Sequence, residues 1–259
     1  MWLVAFFVIA FICFQINVHF TSIYLHRAMS HRSIIFRRAF PGLIMRCWLW
    51  LMAGQAMRSW VAVHRKHHQF ADVEGDPHSP YLVGLWRLFW SHEFIYAKAA
   101  SDPELLKQYT RGIPPHKLDS VLERGLWGLI SGFALFGLGF WLWLGGWQGA
   151  LTGLFCYLLQ FLLYLKAGAT VNAICHMFGY RTFDDNRATN VWWAAWLVAG
   201  EGWHNNHHHD LSSPKLSYKP SEFDPAWIFI KILVLLRLAT VLKTINEKES
   251  SERITENPH

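Results

Sequence analysis

The chain has 259 residues, 53% hydrophobic and 16% aromatic, with a mean hydropathy of +0.15; a composition this apolar argues against an ordinary soluble domain and for one polytopic membrane domain. The formal charge of +6 comes with no basic stripe and no RNA- or DNA-binding motif, so it fits cytoplasmic loops facing anionic lipid rather than a nucleic-acid partner. Cys13, Cys47, Cys156 and Cys175 stand apart in apolar surroundings without a CxxC pair, which argues against a disulfide framework and an iron–sulfur cluster.

The N-terminal stretch MWLVAFFVIAFICFQINVHFTSIYL carries no charged side chain and lacks the basic n-region of a cleavable signal peptide. At 1.5 Å per residue it predicts a first span over about 2–25. Residues 39–63, AFPGLIMRCWLWLMAGQAMRSWVAV, are also apolar, but Arg46 and Arg58 leave roughly 17 Å of helix between them. They predict a helix lying against the membrane or the protein. Residues 97–120 read as a soluble insertion. From Gly125 to Leu165 there is again no Asp, Glu, Lys or Arg. This predicts spans over about 126–144 and 148–170, turning at GGWQG beside interfacial Trp141, Trp143 and Trp147, with Lys166 snorkelling to the headgroups.

The tail segment AWIFIKILVLLRLATVLK reads as a helix carrying Lys231, Arg237 and Lys243 around its circumference. Each would cost about 2.5–3.5 kcal/mol at the bilayer centre, so this helix is expected to be interfacial or packed on the protein. The polar end, about 246–259, is expected to be disordered. Three spans place 26–125 and 171–259 on one face, and every Lys and Arg falls on or next to it. The positive-inside rule makes that face cytoplasmic and puts the N-terminus outside. The expected fold class is all-α: one domain, 1–259, with three transmembrane helices and a cytoplasmic helical cap.

Ten of the fifteen histidines fall into clusters on that face. They are His26 and His31 in HRAMSH; His64, His67 and His68 in HRKHH; His176 in NAICH, one turn after Asn172; and His204, His207 and His208 in HNNHH, followed by His209. On a helix, positions i, i+3 and i+4 share a face, so each HxxHH is expected to aim three imidazoles one way. His26 and His31 lie about 140° apart around a helix and converge only where it ends or bends. His19, His92, His116 and His259 stand alone and read as ordinary hydrogen-bonded residues, while His209 points away from the other three of its cluster. The clustered imidazoles, with a water held by Asn172, exceed one tetrahedral zinc site. They suit two ions of higher coordination, and imidazole serves iron, copper, nickel or zinc alike. A membrane metal-binding or transport protein is the alternative from another class, but it would line its ligands along a path near mid-bilayer. Here they sit at span ends and in cytoplasmic segments.

The stretches YLHRAMSHRS, WVAVHRKHHQFADVEGDPHSP, NAICHMFGYRTF, GEGWHNNHH and KPSEFDPAW together resemble the integral-membrane fatty acid desaturases, in particular the bacterial Δ9, acyl-CoA-desaturase-like branch. The resemblance runs from about residue 24 to 242. It implies a di-iron centre held by His26, His31, His64, His67, His68, His176, His204, His207 and His208, with Asn172 holding a metal-bound water. It also implies a reaction in which O2 and electrons remove two hydrogens from adjacent methylenes and leave a cis double bond, with Δ9 the expected position. Glu201, Asp72, Asp76 and Asp210 are the carboxylates near enough in sequence to orient the imidazoles. His78, in DPHSP, matches the family motif with a structural or a catalytic role.

The implied substrate is a fatty acyl chain on CoA, acyl carrier protein or lipid. The implied donor is a separate ferredoxin, rubredoxin or cytochrome with its reductase, since no haem motif, cysteine cluster or GxGxxG is visible. The implied location is the bacterial inner membrane, with the metal site on the cytoplasmic side. On the same scaffold, hydroxylation, acetylenic-bond formation and oxidative decarboxylation remain alternatives. Family members have two spans before the first histidine box, and this sequence has room for one. Gly200 and Gly202 are expected to let the backbone approach the metal centre.

Overall fold

The computed structural model describes residues 2–242; the sequence expectation for 246–259 lies outside them. Helix α1 (Trp2–Phe20) runs directly into a π-helical stretch, Thr21–Ser30, forming one apolar rod over Val4–Ser30. This is longer than the 2–25 read from the sequence. Strand β1 (Ile34–Phe36) follows, then α2 (Ala39–Ala53) and α3 (Met57–Phe70), separated where Gly54 turns left-handed at φ +62°. Four helices, α4 (Pro80–Val83), α5 (Leu85–Ala100), α6 (Pro103–Tyr109) and α7 (Asp119–Leu122), build one side of the cap. Helices α8 (Gly125–Leu144) and α9 (Gly146–Ala173) form the hairpin, and a 3-10 turn, Ile174–His176, completes the third span. The turn is tighter than expected: Gly145 and Gly146 make it, at φ +80° and +62°, and Trp147 already lies on α9.

The short helices α10 (Trp192–Leu197), α11 (His204–His209) and α12 (Pro225–Leu235) close the cap, and strand β2 (Ala239–Val241) pairs antiparallel with β1. The expected tail helix therefore stops early. Leu238 N–H bonds Leu233 O and Arg237 N–H bonds Val234 O, with Arg237 at φ +57°, a left-handed C-terminal cap. The β-branched Thr240 and Val241 then pair with Ile35 and Ile34. The fold is helical with this one two-stranded ribbon among the described residues.

The polar residues buried in the spans have partners that join elements. Asn17 of α1 donates to Gln160 of α9 at 2.5 Å and accepts from Trp48 of α2 at 2.7 Å, while Gln160 donates to Met52 O at 2.8 Å. Helix α2 lies backbone against backbone on α8: a Cβ on Gly128 or Gly132 would stand 2.0 or 2.1 Å from the carbonyls of Trp50 and Leu51, the close approach that small residues permit in membranes. Arg46, which the sequence set against a span, is buried on α2 and donates to Asp119 at 2.6 Å and Glu123 at 2.7 Å. Arg58 joins the same pair of carboxylates. A four-charge knot thus ties the α2–α3 bend to the start of the hairpin.

Candidate metal centre

The π-helical stretch answers the spacing of His26 and His31. An i→i+5 backbone bond, His31 N–H to His26 O at 3.1 Å, brings residues five apart close to one turn, and their ring centroids lie 4.8 Å apart. A π-turn is rare and tends to occur at functional positions.

Nine histidines converge in two groups, each with its ligand atoms within 4.8 Å of one another: His26, His31, His64, His68 and His207, and His67, His176, His204 and His208. The two HxxHH motifs are split between them. Each gives one group its i, i+4 pair and the other group its middle histidine, because successive helical positions diverge by about 100°. The single shared face read from the sequence is thus two faces. In the first group Nε2 atoms stand 2.8 Å apart between His26 and His207, 2.9 Å between His31 and His64, 3.0 Å between His64 and His68, and 3.1 Å between His68 and His207. In the second, His204 Nε2 lies 3.0 Å from His176 Nε2 and 3.1 Å from His208 Nε2.

Three carboxylates lie against the Nδ1 atoms of three of these rings. Glu201 lies 2.7 Å from His26 Nδ1, Asp76 3.0 Å from His67 Nδ1, and Asp72 2.7 Å from His176 Nδ1. A ring whose Nδ1–H faces a carboxylate presents a bare lone pair at Nε2. His67 Nε2, buried, has no hydrogen-bond partner. Nitrogens packed this closely, three of them on rings whose Nδ1 faces a carboxylate, make a cradle suited to a cation. Burial first, and then repulsion from neighbouring imidazoles, hold His31, His64, His68, His204, His207 and His208 well below the ordinary histidine range, so these rings stay neutral. Burial alone would push Asp72, Asp76 and Glu201 up, but the histidines facing them hold all three below their usual values. The donor set therefore fits a transition-metal pair. The fourth carboxylate, Asp210, instead accepts from Ser212 at 2.6 Å.

The asparagines of HNNHH, which had no role in the sequence, pin α11 from both sides. Asn205 accepts from Thr182 N at 2.7 Å and Phe183 N at 2.9 Å, and Asn206 donates to Leu216 O at 3.0 Å and Glu222 at 2.9 Å. The glycines serve α10 and Asp224 rather than the metal cradle. A Cβ on Gly202 would lie 2.1 Å from Ala195 N, and one on Gly200 (φ +89°) 2.3 Å from Asp224 Oδ1.

Asn172 lies outside both histidine groups, donating to His92 Nε2 at 2.9 Å and Gly168 O at 3.0 Å. His92, which stands alone in the sequence, is buried on α5 beside a kink at Ser91, and burial lowers it to about 4. His78 is buried, stacked on His67 at 4.7 Å, with neither ring nitrogen hydrogen-bonded. Trp60, which the sequence reading missed, stacks on His64 at 4.8 Å; its position one turn before a histidine box was the available signal. His209 stacks on Phe183 and contacts Asp185, away from both groups. His19 faces Gln15 O, and His116 accepts from Leu118 N. A cavity of about 410 Å³ reaches His26, His64 and His204 and is lined elsewhere by Val18, Trp60 and Tyr164, among others; this is within the size range of small-ligand sites.

The chain matches the family model described as fatty acid desaturase over residues 1–214. It is 32% identical over 225 residues to an sn-1 stearoyl-lipid 9-desaturase of Anabaena variabilis, covering 86% of this chain and 78% of that one. It is 31% identical over 233 residues to Delta-9 acyl-lipid desaturase 2 of Arabidopsis thaliana, covering 86% and 70%. An acyl-CoA 5-desaturase of Anemone leveillei is 30% identical over 237 residues, covering 88% and 68%.

Proposed function

The chain belongs to the fatty acid desaturase family and is an oxidoreductase acting on fatty acyl chains; from that premise we propose a membrane-bound, di-iron, O2-dependent enzyme that sets a cis double bond at Δ9 of a lipid-bound acyl chain. The observation that carries this reading is the pair of imidazole cradles, both of which contribute histidines to the wall of one largely apolar cavity. The Δ9 position and the lipid carrier are supported by the Anabaena and Arabidopsis relatives. The whole chain, 1–259, is one functional domain in this reading.

His26, His31, His64, His68 and His207 would hold one iron, and His67, His176, His204 and His208 the other, with a water that Asn172 would hold. When bound, the irons supply the oxidising power that activates O2 for removal of hydrogen from a methylene. The chain's residues do the rest. Glu201, Asp76 and Asp72 hold three imidazoles in the tautomer that binds, and neutral imidazoles leave the ions' charge uncancelled. Val18, Trp60 and Tyr164 give the acyl chain an apolar, water-poor wall next to both groups. The metal face is cytoplasmic, in a bacterial inner membrane, where a separate ferredoxin, rubredoxin or cytochrome-type donor docks on basic residues; turnover should then fall as ionic strength rises.

Total fatty acids from a bacterial host expressing the chain, analysed by gas chromatography–mass spectrometry with double-bond location, test the reading against His207→Ala at equal expression. A new Δ9 acid in glycerolipids only with the intact chain is the expected result. Hydroxy acids or terminal alkenes would replace the proposed reaction.

A further inference from the structure

Helices α10 and α12 each bury one face and leave the other apolar. Ala194, Ala195, Ala226 and Ile230 face inward at 0% exposure, whereas Trp192 (66%), Trp196 (56%), Phe229 (51%) and Leu235 (80%) stand out in the open. Trp196 packs on Phe223, two residues before α12, with ring centroids 4.5 Å apart, which brings the open side of α10 beside the start of α12. Isolated exposed apolar residues are ordinary, but a contiguous patch of this kind marks an interaction surface.

Two contacts fix how deep the patch lies. Gln15 of α1 donates to Leu197 O at 3.1 Å, and His19 packs edge-on against Phe229 at 5.0 Å. If the rod enters the outer face of the hydrocarbon at Val4, Gln15 sits about 16 Å and His19 about 22 Å along it. The inner boundary of a core about 30 Å thick is then still some 8–13 Å further on. The rod extends to Ser30 and is too long for the core; sliding it outward only deepens both contacts. The patch is therefore level with hydrocarbon, continuous with the lipid-facing side of α1.

We propose that α10 and α12 form a monotopic wedge sunk into the cytoplasmic leaflet beside the first span, with the bilayer as its partner. Helix α10 carries no charge, and α12 carries only the exposed Lys231, with Arg237 just beyond its end. Both basic side chains are long enough to reach anionic headgroups while their stems stay in the apolar layer. The shallower contact, about 8 Å in at Phe229, falls within the 5–10 Å by which such helices enter a membrane, and the Leu197 end of α10 goes a few ångströms deeper. Val198, the residue after α10, lines the catalytic cavity with Val18, so the wedge borders that cavity.

Spin labels on single cysteines at Trp196, Ile232 and Leu235, in the full chain with its four native cysteines replaced by alanine, test this in vesicles of phosphatidylcholine and phosphatidylglycerol. Glu104, exposed on α6, serves as the aqueous control. The expected result is power saturation several-fold more sensitive to O2 than to a water-soluble nickel chelate at all three sites, and the reverse at the control. Nickel access at the three sites would overturn the wedge, as would loss of access to both quenchers, which would mean that a second copy or another protein covers the patch. Leu235, already 80% exposed, keeps the test valid if Trp196→Cys fails to fold. The measurement needs neither metal nor substrate, so its failure would leave the desaturase reading standing.

Discussion

Asp224→Ala is the substitution whose effect the structure specifies most fully. Asp224 lies ten residues beyond the last one matched to the family model, yet it closes a buried chain to the metal cradle. Arg27, 1% exposed, donates through Nη2 to both Asp224 oxygens at 3.0 and 3.2 Å and through Nη1 to Ser22 Oγ at 2.6 Å. Ser22 donates to Glu201, which faces His26 Nδ1. Asp224 also accepts from Leu216 N at 2.9 Å and caps α12 through Trp227 N at 3.1 Å. Removing one partner of a buried ion pair costs about 3–5 kcal/mol, because the other charge is left without compensation; loss of the cap adds about 1 kcal/mol.

Against a total stability of about 5–15 kcal/mol, Asp224→Ala should remove about a quarter or more, read as an equilibrium unfolding shift in mixed micelles. The apolar pair Arg27→Met with Asp224→Leu should recover part of that loss, since well-packed hydrophobes replace a buried ion pair at little cost. A loss below about 1 kcal/mol for Asp224→Ala, or a double variant no better than the single one, would refute the reasoning.

Glu201→Gln keeps the shape but removes the carboxylate from His26, and should weaken metal retention about 10–100-fold in chelator competition. Gly200→Ala must place its Cβ 2.3 Å from Asp224 Oδ1 in a left-handed backbone, so its thermal midpoint should fall, whereas Gly139→Ala, with open space around it, should not. Asn206→Ala strips partners from Glu222 and Asn190 and should cost about 1–3 kcal/mol in the same unfolding assay. Burial pushes the Asp119 carboxyl up, but His116 N–H and the arginines Arg46 and Arg58 hold it lower still, below 3.8. Its contribution is thus complete above that value and lost as pH falls through the folded one, and Asp119→Asn should flatten the acid limb of stability against pH.

Much of the architecture was legible because it follows from local composition. Long uncharged runs become rods, and Gly145–Gly146 becomes the turn between two of them. The histidine boxes were legible because imidazole repeated at i, i+3 and i+4 is chemically distinctive. What escaped depended on backbone geometry or on distant partners. Nothing in TSIYLHRAMS announces a π-register, so His26 and His31 read as divergent. Arg237 in a left-handed cap ends α12, although the apolar pattern continues past it. Arg27 and Asp224 are 197 positions apart, and each looks like a surface charge until they meet. His92 looks solitary because its partner, Asn172, lies 80 residues away.

The division of the two HxxHH motifs imposes a constraint on the cap. Helices α3 and α11 each supply both histidine groups, so turning either helix to improve one group spoils the other. Neither helix can be positioned by one group alone; its rotation must be fixed by contacts outside the groups. The polar residues interleaved with the histidines supply them. Arg65, between His64 and His67, donates to Met29 O at 2.8 Å and Ser30 O at 3.2 Å, and to Tyr109 O at 2.9 Å. It thereby satisfies carbonyls at the open end of the π-helix while clamping α3 to it. Asn205 and Asn206 do the same for α11 by holding the segments around Phe183 and Glu222. The residues between the histidines thus set the angle at which each helix presents two faces to the two histidine groups, which is why the boxes are rich in side chains that bond backbone as well as in imidazoles.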